Sequence, residues 1–552
     1  MAYYDDLINN PVGYIEGNNF SDLTKYNGIW NEKSAAHLYR RTTFGATPED
    51  IKEAASKSLD EIIEQILAPI ELPPNPINYR FESDPNVPIG ETWVNKTIER
   101  DGNEILIEGY RHQSLYVWQN NLLLDSPLHL REQMTLFWHN HFAIERVFIE
   151  NSSFIFNYIT TLRKHSLGNF KTLTKLITVD PAMLIYLNGD KNTKFAPNEN
   201  FARELLELFT IGKGELQGPG DYTTFTEQDV GAASRVLTGW RNRGVFCRDG
   251  DPTTAKFDIN KHDRRSKELS HRFDNAIIDD ERENEYKTLI DIIFLQDEVA
   301  KFLCRKLYRW FVFYEINEEV ERKIINPLAD ILRENNYDVK PVLKTLLSSQ
   351  HFFDDIYMGS MIKNPITFLT GLLKDSKIHL GTAPDSLERY EQMQLIFGRK
   401  LNFGQMQYFS PPDVAGWKAY YQQPLFYRLW INSVTLRERQ MMTDDFVSGK
   451  IEVNKQSFTV DILKYVEGFE DPLDPNLLIR EFAAILFANP ITEQQIHLLK
   501  EVLIPGLPDF EWTVEYSKYL DSPEDENMRK SVESKLRNLY SALLKMPEYY
   551  LT

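Results

Sequence analysis

Apolar residues recur at helical spacing along most of the chain, and the clearest case is Asn198 to Phe209. At about 100° per residue, Phe201, Leu205, Leu206, Leu208 and Phe209 fill one side of a helix. Glu199, Arg203 and Glu207 gather within roughly 80° of one another on the other side, with Glu204 at their border. Asn198 supplies the N-cap, Glu199 suits the positive end of the helix dipole, and Gly212 and Gly214 close the element.

A second stretch, from Ser126-Pro127 to about Val147, is apolar nearly all round and predicts a buried helix. Its polar exceptions therefore matter. Glu132, His139 and Arg146 are spaced by seven and form one stripe, while His141 lies about 200° from His139. Further helices are marked by caps at Thr47-Pro48, Asp180, Thr226 with Asp229, Thr492 and Ser522, and by the aromatic stripe Phe302, Leu303, Leu307, Trp310 and Phe311. Six prolines between residues 69 and 100 exclude a long regular element and predict a loop over a cleft. Residues 241–285 are polar and weakly patterned, the one place where strands are expected. The fold class is all-α: a large multi-helix body with a small β-hairpin insertion near 245–275. An irregular arm occupies 1–30, the main helical domain 31–445, and a linker and C-terminal helical region 446–552.

The formal net charge is −19, which opposes phosphate backbones and anionic lipid and excludes nucleic acid as a partner class. Two cysteines, Cys247 and Cys304, cannot build a disulfide framework, and Cys304 reads as a core thiol. No run approaches eighteen apolar residues, so no membrane span is expected. The first residues lack a basic and an apolar leader region, which reads as cytoplasmic by default.

Two readings of the acidic helix face stand side by side. It is a solvated surface with i,i+4 ion pairs, or Glu204 and Glu207 point into a polar cavity as metal ligands or acid–base groups. His139 and His141 are the matching histidine candidates. On a continuous helix they cannot grip one ion unless the helix breaks between them, and His139, with Glu132 two turns away to orient it, is the stronger. His262, Asp263 and Lys267 could bind an anion or relay a proton, and a charged solvated loop explains them equally.

The ordered motifs Ala36-His-Leu-Tyr-Arg-Arg-Thr-Thr-Phe-Gly45, Phe137-Trp-His-Asn-His-Phe142, Asp180-Pro-Ala-Met183, Asn198 to Thr210, Leu237-Thr-Gly-Trp240 and Pro411-Pro-Asp-Val-Ala-Gly-Trp417 resemble the bacterial family called domain of unknown function 1800. The resemblance implies a mainly helical fold and no settled activity. It also implies a genomic neighbour of the sulfatase-like or alkaline-phosphatase-like kind, and a periplasmic or exported location for many relatives. Two departures stand out. The family's His-Asp-x-Gly-x-Lys is here His262-Asp-Arg-Arg-Ser-Lys267, without the glycine, and its Pro-Pro-Asn-Val is Pro411-Pro-Asp-Val414. The resulting expectation is a metal-dependent enzyme, hydrolase or oxidase, with a divalent ion on His139, His141, Glu204 and Glu207. Arg203, His262, Asp263 and Lys267 would hold an anionic small-molecule substrate, and Asp180 or Glu199 would serve as base. The rival expectation is a non-catalytic scaffold for a partner protein, built around a buried Glu-Arg network.

Overall fold

The structure, a computed structural model, describes residues 21–80, 84–98, 102–242, 254–380 and 383–552. It is mostly helical, with 5% strand in short antiparallel hairpins. Helices α1 (Glu32–Thr42), α2 (Pro48–Ala55) and α3 (Leu59–Leu67) lead into α4 (Glu104–Asp125), α5 (Arg131–His141), α6 (Ser152–Lys164), α7 (Phe170–Thr178) and α8 (Pro181–Tyr186). The acidic segment is α9 (Glu199–Glu204), which runs on as a π-helix over Leu205–Thr210. Then come α10 (Glu227–Val236), α11 (Glu285–Ile293), α12 (Asp297–Phe311), α13 (Asn326–Glu334), α14 (Val339–Leu347), α15 (Pro365–Asp375) and α16 (Ser433–Val447). The C-terminal group is α17 (Pro475–Leu486), α18 (Glu493–Leu503), α19 (Asp509–Asp521) and α20 (Glu526–Lys545).

Strands are not confined to the 241–285 region. Hairpins Trp240–Arg241 with Lys256–Phe257 and Lys267–Glu268 with Ile277–Ile278 lie there, but others pair Leu216–Gly218 with Asp221–Tyr222 and Glu452–Val453 with Gln456–Ser457. Each is only two or three residues long, too short to leave a period-two signal. Cys247 and residues 1–20 of the expected arm fall outside the described residues. Cys304 is fully buried, and burial pushes its thiol pKa up.

One contiguous apolar cluster runs from Ala35 to Tyr550. The segment that reads as a linker contributes to it through Phe458, Val460 and Ile462, and Tyr465 stacks on Phe482 of α17. The cap expected at Ser522 belongs instead to Asp525, whose carboxylate accepts the Asn527 and Met528 amides, because Ser522 terminates α19.

Helix α5 is the innermost element, buried at every position, and it is shorter than the pattern suggests. It starts at Arg131 and ends at His141. With no water to satisfy its polar side chains, each needs a protein partner. Glu132 accepts from Arg163 at 2.9 and 3.0 Å and from Arg131 at 3.0 Å, and Arg163 also donates to Gln119. Its carboxylate therefore serves these two guanidiniums, not His139. Gln133 donates to the Thr43 carbonyl and the Trp138 indole to the Ser166 carbonyl.

Removing one partner of such a buried pair strands the other charge, at a cost of about 3–5 kcal/mol. Glu132→Ala is therefore expected to lower the unfolding free energy by that order in urea titration. Glu199→Ala, at an exposed pair, should change it by less than about 0.5 kcal/mol. Equal effects of the two substitutions would contradict the assignment.

Candidate functional site

The last three residues of α5 each hold a different piece of the molecule. The Phe409 amide donates to His139 Nε2 at 3.2 Å, so Nε2 carries no proton and Nδ1–H donates to the Tyr158 hydroxyl at 3.1 Å. Tyr158 passes its own proton to the Phe142 carbonyl at 2.6 Å. Asn140 Oδ1 accepts the Trp417 amide at 2.8 Å. His141 Nε2–H donates to the Phe209 carbonyl at 3.0 Å, while Lys306 donates to Nδ1 at 3.1 Å and to the Leu208 carbonyl at 3.0 Å. Both rings are neutral. Burial lowers the His139 pKa to about 3, and burial with the Lys306 charge puts His141 well below its ordinary value.

Two segments are thereby docked on the end of α5: the loop 408–417 and the π-helix. The loop's close approach requires a glycine. Gly416 has φ of +90°, and a Cβ there would sit 2.3 Å from Asn140 Oδ1 and 2.4 Å from its carbonyl. The π-helix closes at Gly212, φ +78°, where both the Ile211 and Gly212 amides donate to the Leu206 carbonyl. The Thr210 hydroxyl reaches the Leu205 carbonyl at 2.6 Å, five residues back, which suits the wider π turn.

This docking gathers carboxylates. Glu204 is half-buried, and burial, then Glu207, then Asp413 of the loop raise its pKa from 4.5 to about 7. Glu207 faces Lys213 at 3.4 Å, and the Lys213 ammonium lies 5.0 Å over the Tyr222 ring. Tyr421 lies near Asp413, and Tyr186, with Glu145, Asp413 and Glu204 around it, is pushed up to about 12, chiefly by burial. Asp180 caps α8 by accepting the Ala182 and Met183 amides at 2.9 and 3.3 Å, and burial raises its pKa to about 7.

The other predicted residues lie elsewhere or are already engaged. His139 and His141 spend both ring nitrogens as described, so the four expected metal ligands are not assembled around one point. Glu199 is exposed and pairs with Arg203 at 3.5 Å. Arg203 is gripped by both Glu227 oxygens at 2.7 Å, and that contact holds it charged. The Glu-Arg network on α9 is thus solvent-facing, not buried. His262, Glu285 and Lys267 are each fully buried: His262 Nε2 lies 2.9 Å from Glu285 Oε1, and Lys267 donates to Glu285 Oε2 and to the Asp263 carbonyl. Asp263 accepts from Arg265 and Arg235, which against the effect of burial hold its carboxyl well below the usual range. The loop closes tightly without the family's glycine, with no positive φ between 262 and 267. It cradles its own charges, leaving Lys267 no reach to a shared anion with Arg203.

Among the described residues one group has the spacing to hold a metal ion: His262, Asp280 and Glu285, with donor atoms within 4.8 Å of one another. It fits a metal poorly as arranged. Both Glu285 oxygens are occupied, Asp280 accepts from Arg264 at 2.7 Å, and the Lys267 ammonium already supplies the positive charge.

Two partners at the carboxylate site, Asp413 and Lys213, were missed in the sequence, as was Lys306 at the His141 clamp. Lys306 was legible, since it falls within the apolar stripe of α12, three or four residues from Phe302, Leu303 and Trp310. Its burial lowers the ammonium to about 7. Asp413 is a turn residue, its Oδ1 accepting the Ala415 amide at 3.2 Å. Its second effect on Glu204 is visible only in three dimensions.

The motifs that converge here are those of the resemblance noted in the sequence. The family described as "Protein of unknown function (DUF1800)" matches residues 37–551. The chain belongs to this family. Searches of the curated proteins and of the solved structures each find no match. Among the described residues no helix is long and apolar enough to cross a membrane.

The raised pKa of Glu204 has a definite sign in stability. The folded protein holds that proton more tightly than the unfolded chain, so its contribution is complete below pH 4.5 and is lost as pH rises through about 7. Discounted for partial exposure, Glu204→Gln is expected to be neutral at pH 4.5 and to stabilise at pH 8 by about 1 kcal/mol. Asp413→Asn should do the same more weakly. Melting curves of the three proteins across this range check it.

Proposed function

We propose that this DUF1800 chain is a hydrolase whose site is the carboxylate cluster of Glu204, Glu207 and Asp413. Glu204 exchanges the proton, and Glu207 with Asp413 holds a hard divalent cation. The observation that carries the reading is the half-buried Glu204 carboxyl grouped with Glu207 and Asp413, where burial and the neighbouring charges push its pKa up to about 7. A carboxyl titrating at neutral pH is populated in both forms, so it can take a proton from a nucleophilic water and return it to a leaving group.

The donor chemistry supports the cation class. With His139 and His141 committed to backbone and neighbours, the groups left are oxygens, a set that suits Mg²⁺, Mn²⁺ or Ca²⁺ and Lewis-acid hydrolysis over oxidation. Glu204, Glu207 and Asp413 do not meet the 4.8 Å spacing of a preformed three-ligand group, so Glu207 and Asp413 would hold the ion with water completing its shell, and Glu204 would stay outside it. Once bound, the ion would polarise a substrate oxygen. Lys213, beside Glu207, is the cation placed to meet substrate charge here, in the role first expected of Arg203 and Lys267. Asp180 stays behind, fixing the start of α8.

Titration calorimetry with Mn²⁺ near pH 7.5 tests this, with metal content by mass spectrometry alongside. Saturable binding is expected, weakened at least about ten-fold in Glu207→Gln and in Asp413→Asn. His139→Ala is expected to lower the melting temperature, because it breaks the loop's anchor. Absence of Mn²⁺ binding in the unaltered protein, or binding undiminished in both carboxylate variants, would refute the cation assignment.

A further inference from the structure

A cleft of about 450 Å³ opens between α1–α3 and the ends of α4 and α15, and none of Glu204, Glu207 and Asp413 lines it. That volume lies within the range of small-molecule sites. Its charged lining nearly cancels internally. Glu53 pairs with Lys57 at 2.6 Å, Lys377 with Glu49 at 2.8 Å, and Asp125 with Arg389 at 2.8 and 2.9 Å. Two opposite charges are left over. Lys374 is half-buried, donates only to the Gly45 carbonyl at 3.2 Å, and has no carboxylate at ion-pair distance among the described residues. Asp50 uses Oδ2 to cap α2 through Thr47, at 2.8 and 2.7 Å, while Oδ1 has no protein donor among the described residues.

The remaining surface completes a pattern. The Ser126 hydroxyl is buried in the lining without a partner, and Leu128, Leu373 and Ile378 supply an apolar wall. A half-buried ammonium lacking a carboxylate is costly, and burial lowers the pKa of Lys374 accordingly. Asp50 and Lys374 both line the cleft, so their charges act on the same space. A ligand with only negative charge would be opposed by Asp50, and one with only positive charge by Lys374.

We propose that this cleft binds a small zwitterion with an apolar side chain, of the α-amino-acid class, its carboxylate on Lys374 and its ammonium on Asp50. The leucine and isoleucine wall receives the side chain. The site is independent of the carboxylate cluster and stands whether or not that cluster binds a cation.

The test compares three probes on the full chain by calorimetry and thermal shift: L-leucine, 4-methylpentanoate, which lacks the amine, and 3-methylbutylamine, which lacks the carboxylate. Leucine is expected to bind at least about ten-fold more tightly than either fragment. Lys374→Met should abolish the preference, while Lys377→Met, at a residue already paired with Glu49, should leave it within about two-fold. Ser126→Leu, which fills the cleft without removing a charge, provides a second block should Lys374→Met fail to fold. The proposal is overturned if leucine gives no saturable signal, if the three probes bind alike, or if leucine binding survives both Lys374→Met and Ser126→Leu.

Discussion

Complete burial of α5 is the constraint on which the rest of this molecule depends. A helix without solvent cannot leave Glu132, Gln133, His139, Asn140 or His141 unsatisfied, since each orphaned polar group costs on the order of 1–3 kcal/mol. The sequence answers with partners drawn from far along the chain: Arg163 for Glu132, the 408–417 loop for His139 and Asn140, and the end of the π-helix with Lys306 for His141. What looks like a His-x-His metal motif is here a set of clamps. Its histidines are held neutral by burial and used for hydrogen-bond direction.

The clamps bring together groups that repel. Docking the π-helix and the loop on one helix end brings Asp413 to the Glu204 and Glu207 pair, and burial with these charges raises the Glu204 carboxyl to about 7. Left to itself the protein would be more stable without that arrangement. Local destabilisation retained by a well-packed scaffold is the usual mark of a working site, and the π-helix at the same place has the same character. The buried His262–Glu285–Lys267 group behaves in the opposite way. Its charges are matched and enclosed, and it ties the hairpin region to α11.

Much of the fold was legible because it rests on local rules. Periodicity located α9 and the buried α5, and the caps at Thr47, Asp180, Asn198 and Thr226 are all formed as their residue types dictate. The early end of α5 was not legible, since it follows from partners that claim the carbonyls and side chains beyond His141. The short hairpins escaped for lack of length. At the site, Glu204 and Glu207 were readable from helical spacing, but their relation to Asp413, two hundred residues away, is set by the Asn140–Trp417 and His139–Phe409 contacts. A sequence pattern shows that a histidine is buried. It does not show whether the ring is spent on a metal or on an amide.

The measurement that bears most directly on this account is the titration of the Glu204 side-chain carboxyl by carbon NMR, assigned by its loss in Glu204→Gln, in the unaltered protein and in Asn140→Ala. A midpoint near 7 that falls towards the ordinary 4.5 when the Asn140 clamp is removed is the predicted result. An ordinary midpoint in the unaltered protein, or a raised one indifferent to Asn140→Ala, would contradict the claim that α5 assembles the site.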